Sequence, residues 1–433
     1  MGWISGAVWL VLCGAWIMWA GRHLTPRVSQ RWLGGLWALK IAAGFAIWWI
    51  YAHYYSDEKT GDIISYHADG LELRKIFWQS PLKYVQVLLG MHNNYEEEFA
   101  PLYNTMRYWY EEWKGSNLII EPRNMIRLSS LVGLLTGGWI FSHIVVFSCL
   151  AMLGILFLTA GFRSAGIFSD ERWLMAGATL APSALAWTSA PMREAPMMLG
   201  LGMAVAGAVW VRRNLSFKAF ATLLGGFWWL AYFKTHVALT LFMPVVLYLL
   251  APADRRQALV LYGGSLLALL IFLYATPSGA FVLKVVAKKR IDFIHVAEVW
   301  EARSRIPVPE VPQRLEQLPQ SVAHALTNTF FQPMPWRVKG LLDSLALGEN
   351  ILFSALLALS LWRIWRFQNL PLNFVMLVVL FSFFQALLIG LTTSVAGAIV
   401  RYKCSILAIL TPFLLLSLQP KNARETKNLK TDE

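Results

Sequence analysis

"WIFSHIVVFSCLAMLGILFLTAG", residues 139–161, holds no Asp, Glu, Lys or Arg. Its length falls in the range of roughly 17 to 25 apolar residues that crosses a hydrocarbon core of about 30 Å. A segment in that medium has no water to satisfy its backbone, so it must be helical. Working outward from it in both directions, comparable runs lie near 3–20, 33–52, 173–190, 195–211, 219–233, 236–251, 258–275, 349–366, 371–392 and 400–418. The chain thus reads as an all-α, polytopic α-helical membrane protein with about eleven transmembrane helices, within a range of 10–13. The interrupted stretch 219–251 and the borderline stretch 125–138 set that range.

The composition agrees. Of 433 residues 57% are hydrophobic and only 15% charged, against about 25% charged in ordinary soluble domains. The formal net charge of +13 raises the question of nucleic acid, and the placement of the charges answers it. Short basic links follow alternate spans: Arg22, Arg27 and Arg31; Arg163 and Arg172; Arg212, Arg213 and Lys218; Arg255 and Arg256; Arg363 and Arg366. Positive-inside bias puts these links in the cytoplasm, with the N-terminus outside and the C-terminus inside. The basic excess is topological, and no nucleic-acid partner is expected. Cys13, Cys149 and Cys404 all lie in apolar runs, which gives neither a disulfide framework nor a metal site.

The expected organisation is one polytopic membrane domain over 1–420 and a disordered cytoplasmic tail over 421–433. Two long segments fall outside the membrane, about 53–125 and 276–348, both on the outer face and both expected to contain juxtamembrane helices. The first opens with "YYSDEKTGDIISYHADG", residues 54–70, and continues through "YNTMRYWYEEW", residues 103–113, whose amphipathic rings suit the headgroup layer. The second opens with "KVVAKKRIDFIHVAEVWEARSR", residues 284–305, and then runs through prolines that exclude a continuous helix.

Charges at the edges of spans are costly and so are either paired or functional. Arg193 and Glu194 stand between Pro191 and Pro196; Lys234 and His236 occupy a very tight link; Arg401 and Lys403 open the last span; Arg337 and Lys339 flank Trp336 in the second long segment. The topology puts all of them on the face that carries the acidic first segment. Structural roles stand beside functional ones. Arg193 and Glu194 can neutralise each other, Lys234 with His236 can be a snorkelling turn, and Arg401 with Lys403 can be interfacial anchors. A cavity with a carboxylate on one wall and cations on the other suits a phosphorylated lipid, the carboxylate doing acid–base chemistry or binding a divalent cation. His143 reads as a packed, hydrogen-bonded histidine, and "GLLTGG" (133–138) and "GLG" (200–202) as close helix packing.

"GDIISYHADG", "PSALAWTSAPMREA" and "GAIVRYKCSIL", set in this plan of spans and outer loops, resemble the GT-C glycosyltransferases, including bacterial envelope glycosyltransferase and polymerase-like proteins. The resemblance implies an enzyme of the bacterial inner membrane that takes a sugar from a polyprenyl-phosphate-linked donor on the periplasmic face. The acceptor would be an envelope glycan, a lipid or a protein, and membrane lipid is the other partner. It implies a first-loop carboxylate that acts as general base, or positions the acceptor or a divalent cation such as magnesium or manganese. Asp62 is the first choice, because the Gly-Asp pair ahead of Tyr66 and His67 matches the pattern; Asp57 and Glu58 are its rivals. Arg401 would bind the donor phosphate, with Arg193, Lys234 or Arg337 assisting and Glu194 and His236 beside them. No Trp-Trp-Asp signature is present, since "WWL" (228–230) and "WWI" (48–50) lack the acid. The alternatives are a polysaccharide polymerase or ligase of the O-antigen kind, and a non-catalytic membrane subunit of a transport or secretion assembly.

Overall fold

The computed structural model describes residues 2–53, 61–91, 104–109, 120–167, 170–299, 301–363 and 370–418. Asp57 and Glu58, most of 92–119 and the C-terminal tail lie outside the described residues. Within them the chain is all-helical, with one isolated bridge, Arg305 to Val395, and no strand.

Seven helices are long and apolar enough to cross a membrane: α1 (Gly2–Leu24), α2 (Gln30–His53), α6 (Ile140–Ser164), α9 (Glu194–Arg213), α12 (Arg255–Ala275), α15 (Leu341–Trp362) and α16 (Leu372–Thr392). A bent pair, α17 (Ala396–Tyr402) and α18 (Cys404–Leu415), makes an eighth if the two form one span across their 54° break. The protein is therefore a multi-pass membrane protein. The other apolar runs are helical but shorter. Residues 173–190 split into α7 (Glu171–Leu180) and α8 (Pro182–Trp187), because Pro182 has no N–H for a continuing ladder. Residues 219–251 split at Lys234 into α10 (Phe217–Phe233) and α11 (Thr235–Leu250). Between them lie α3 (Asp62–Gln79), α4 (Pro81–Leu88) and α5 (Glu121–Thr136) in the first long segment, and α13 (Pro277–Val299) and α14 (Leu318–Phe331) in the second.

The chain divides into two compact units, Met1–Ser164 with Leu185–Leu239, and Ala165–Ala184 with Thr240–Glu433. In the first, α6 is the central helix, with 83% of its apolar window buried, and α1, α2, α5 and α9 pack on it. The approach of α6, α9 and α10 depends on glycine. A Cβ on Gly202 would lie 2.0 Å from Gly154 O, one on Gly154 2.2 Å from Met198 O, and one on Gly226 2.4 Å from Ala204 N. Helix association in lipid is driven by such backbone contact and not by apolar transfer. "GLG" thus packs as expected. In "GLLTGG" Gly133 and Gly138 both face Leu71 and Arg74 of α3, Gly138 the more closely, with 2.7 Å from an added Cβ to each, while Gly137 faces open space; Gly137 and Gly138 have φ of +75° and +84° and end α5.

In the second unit α14 lies so close to α16 that a Cβ on Gly390 would sit 1.9 Å from Ala325 O, and Thr329 Oγ1 donates to Ala386 O at 2.7 Å. A buried polar knot holds the start of α8, α15 and the α17–α18 break together. Glu349 accepts from Ser183 N at 2.5 Å and from Ser183 Oγ at 2.9 Å, and pairs with Lys403 at 3.1 Å. Lys403 also donates to Asn350 Oδ1, whose amide reaches Gln332 O at 2.9 Å. Lys403 stands at the break between α17 and α18, so the buried cation sits where helix carbonyls lose their partners.

Candidate functional site

The stretch "GDIISYHADG" is not a loop. Gly61 is the N-cap of α3 and Asp62 its first residue. Gly61 is required by space, since a Cβ there would lie 2.5 Å from Tyr51 Cδ1. Ile63 buries its side chain with Ile47, Ala190 and Met192, which anchors the start of α3 against the end of α2. Asp62, in the first turn where a carboxylate is favoured by the helix dipole, remains half-buried and accepts from Tyr108 Oη at 2.7 Å. One turn pair further on, Asp69 is buried and accepts from the backbone N–H groups of Arg107 and Tyr108 at 3.0 and 2.8 Å. Burial pushes the Asp69 carboxyl up, and those two amides hold it back. Asp69 thereby fixes residues 104–109 onto α3 and delivers Tyr108 to Asp62.

From Tyr108 the contacts lead inward. Its ring lies 5.1 Å from that of Tyr66, and the Arg193 guanidinium lies over Tyr66 at 5.9 Å. Arg193 Nη1 pairs with Glu121 Oε2 at 2.9 Å. The other oxygen of Glu121 accepts from Thr235 N at 2.8 Å, capping the N-terminus of α11. Beside this pair, Lys234 Nζ meets Glu194 Oε1 at 2.8 Å with side-chain exposures of 2% and 0%. His236 lies in the field of Lys234, Glu121, Arg193 and Glu194. Arg193 and Glu194 therefore pair with Glu121 and Lys234 respectively, not simply with each other.

Helix ends explain this arrangement. Glu121 opens α5 and Glu194 opens α9, where free N–H groups favour anions; Lys234 caps the C-terminus of α10, where free carbonyls favour a cation. The Glu121 carboxyl is pushed up by burial, but Arg193, His236, Lys234 and the Thr235 amide together bring it below its ordinary value.

His67 faces away from this chain of contacts. Its Nε2 lies 3.1 Å from Gly138 O, and its ring stands edge-on to His143 at 4.6 Å; burial lowers its affinity for a proton. His143 is buried, with its two ring nitrogens each 3.1 Å from a carbonyl, of Trp139 and of Ser129. Arg337 and Arg401 belong to the second unit. Arg337 Nη1 donates to Arg305 O at 3.3 Å, and Arg401 is half-buried in the last turn of α17, 6.0 Å from the Tyr402 ring. Asp57 and Glu58 lie outside the described residues.

Several polar groups in these units are not evident from the sequence alone. Trp109 is buried between Arg123 and Arg127, at 5.2 and 5.5 Å, and Arg127 also donates to Val87 O and to Asn124 Oδ1. Lys40, inside α2, is buried and donates to Thr188 Oγ1 at 2.7 Å. Lys40 and, in the cluster described above, Glu121 had a signal. Lys40 is the one charge in the run 33–52, and Glu121 followed by Pro122 is a helix start. Among the described residues no group of three or more His, Cys, Asp or Glu side chains is placed to hold a metal ion.

The arrangement offers a half-exposed carboxylate at the head of α3, linked through two tyrosines to a guanidinium and then to a buried, charge-balanced cluster. The chain matches no family model, no curated protein and no solved structure.

Proposed function

We propose that the chain is a glycosyltransferase of the GT-C kind in the bacterial inner membrane, with eleven crossings and its site on the periplasmic face. The reaction is transfer of a sugar from a polyprenyl-phosphate-linked donor to an envelope glycan, lipid or protein. The observation that carries the reading is Asp62. It is half-buried, held at 2.7 Å by Tyr108 and placed at the head of the helix that follows the second span. In this role Asp62 takes the proton of an acceptor hydroxyl as its oxygen attacks the sugar C1, and the bond from C1 to the phosphate oxygen breaks with its electrons leaving on the phosphate. Arg193, 15% exposed, is the cation of the same unit assigned to that developing charge.

The test is product formation by the purified protein in liposomes with a polyprenyl-phosphate sugar. Asp62→Asn lowers turnover by about a hundredfold or more, the size of a lost general base, at unchanged protein level. Full turnover by Asp62→Asn sinks the reading.

One observation favours a second reading. Arg193 and Lys234 are each already in an ion pair with a carboxylate, as charges retained for assembly would be. A non-catalytic membrane subunit would show no turnover in the wild type and would copurify with a stoichiometric partner.

A further inference from the structure

Helix α13 has two faces of different character. Gly279, Leu283, Val286, Arg290 and Ala297 follow helical spacing and are buried or half-buried. On this side a Cβ on Gly279 would lie 1.9 Å from Phe272 O of α12, and Arg290 Nη2 donates to Val308 O at 3.0 Å. Phe293 O accepts from Ser394 Oγ at 2.9 Å, and the Phe293 ring lies 6.3 Å from that of Tyr402. The helix is thus fixed beside the ends of three apolar helices: Ala275 of α12, Thr392 of α16 and Ala396 of α17.

The opposite face is exposed, and it is sorted. At about 100° per residue, Phe281, Val285, Val296 and Val299 fall within one sector of roughly 60°. They are exposed by 67%, 45%, 52% and 63%. Lys284, Lys288 and His295 form the adjoining sector, and Lys289 lies on the far edge of the apolar one; all four are exposed. The acidic residues of this helix are Asp292, which lies within the apolar sector, and Glu298, at the outer edge of the basic one, beside the exposed Ile291. Among the described residues none of Lys284, Lys288 and Lys289 is in an ion pair. The preceding helix, α12, has only 11% of its apolar window buried, so a lipid-facing surface leads directly into this face.

We infer that the outer face of α13 lies in the membrane interface and binds the phosphate headgroups of anionic phospholipid, with Lys284, Lys288 and Lys289 as the cations. An apolar sector flanked by lysines is the pattern of a helix lying in the headgroup layer, and its position at the ends of three apolar helices sets it at that depth. Arg290 is excluded from this set, because it turns inward to Val308.

The experiment uses the full chain in nanodiscs of phosphatidylcholine with phosphatidylglycerol, its three cysteines replaced by alanine and a fluorophore attached through Val285→Cys. Chain-brominated phosphatidylglycerol quenches the probe with an advantage of roughly threefold or more over brominated phosphatidylcholine at equal mole fraction. Lys284→Gln/Lys288→Gln/Lys289→Gln removes that advantage. Equal quenching by the two lipids in the wild-type background overturns the proposal. So does quenching by aqueous iodide in their place, or shielding from all three, which would mean that protein covers the face. Native mass spectrometry of the unlabelled chain in equimolar lipids provides a second readout. The triple variant retains fewer phosphatidylglycerol molecules, and an unchanged number overturns the proposal even if the labelled chain does not fold.

Discussion

Lys234 and Glu194 are almost wholly removed from solvent, so their mutual attraction offsets a large desolvation cost. Lys234→Met leaves the Glu194 charge without this ion pair and is expected to cost about 3–5 kcal/mol. Lys234→Met combined with Glu194→Gln recovers most of it, because no lone charge remains. Unfolding of the three variants in mixed micelles checks this, and a double variant as weak as the single one contradicts it. Glu121 gives a pH prediction. Its folded carboxyl lies below the ordinary value of 4.5, so below that value the unfolded chain binds a proton before the folded one does. The contribution is present above pH 4.5 and is lost as pH falls through the folded value. Glu121→Gln should therefore flatten the acid limb of the stability profile below 4.5 without changing its shape near neutrality.

At the scale of elements, the α6–α9–α10 stack leaves no room for side chains. Gly202→Val forces a branched side chain against the Gly154 carbonyl and is expected to cost about 1–3 kcal/mol. At Gly264, in α12, an added Cβ meets nothing within 4 Å, and Gly264→Val should leave the thermal midpoint nearly unchanged. The existence of these helices was legible from hydropathy, because each needs only its own residues to be apolar. Their breaks were partly legible: Pro182 ends a backbone ladder by local chemistry, whereas Lys234, between α10 and α11, meets a carboxylate forty positions earlier in the chain. Candidate residues at the ends of spans could be picked out by the cost of their charge. Their partners could not, because Glu121 with Arg193 and Asp69 with the amides of 107 and 108 are chosen by packing between helices distant in sequence. Tyr66 and His67 show the limit: neighbours in the chain, they meet different partners, because successive helical residues point about 100° apart.

At the scale of the whole molecule, the proposed eleven crossings fix a face for every connection. Reporter fusions after Arg213 and within 301–311 should give cytoplasmic and periplasmic signals respectively, and the C-terminal tail a cytoplasmic one. If α7 and α8 do not cross, the fusion after Arg213 reports the outside instead. The Glu194–Lys234 pair also constrains biosynthesis. Glu194 emerges from the ribosome before Lys234, so α9 reaches the translocon carrying a carboxylate ahead of the lysine that pairs with it in the folded protein. An isolated charge is disfavoured in the bilayer centre, and Glu194 lies at the end of its helix, where it can wait at the interface. The pair closes only when α10 has followed, which makes α9 and α10 a hairpin whose lateral release into lipid is coupled. Slowing translation while α9 has emerged and α10 is still inside the ribosome would lengthen the life of the half-made hairpin and expose it to membrane proteases.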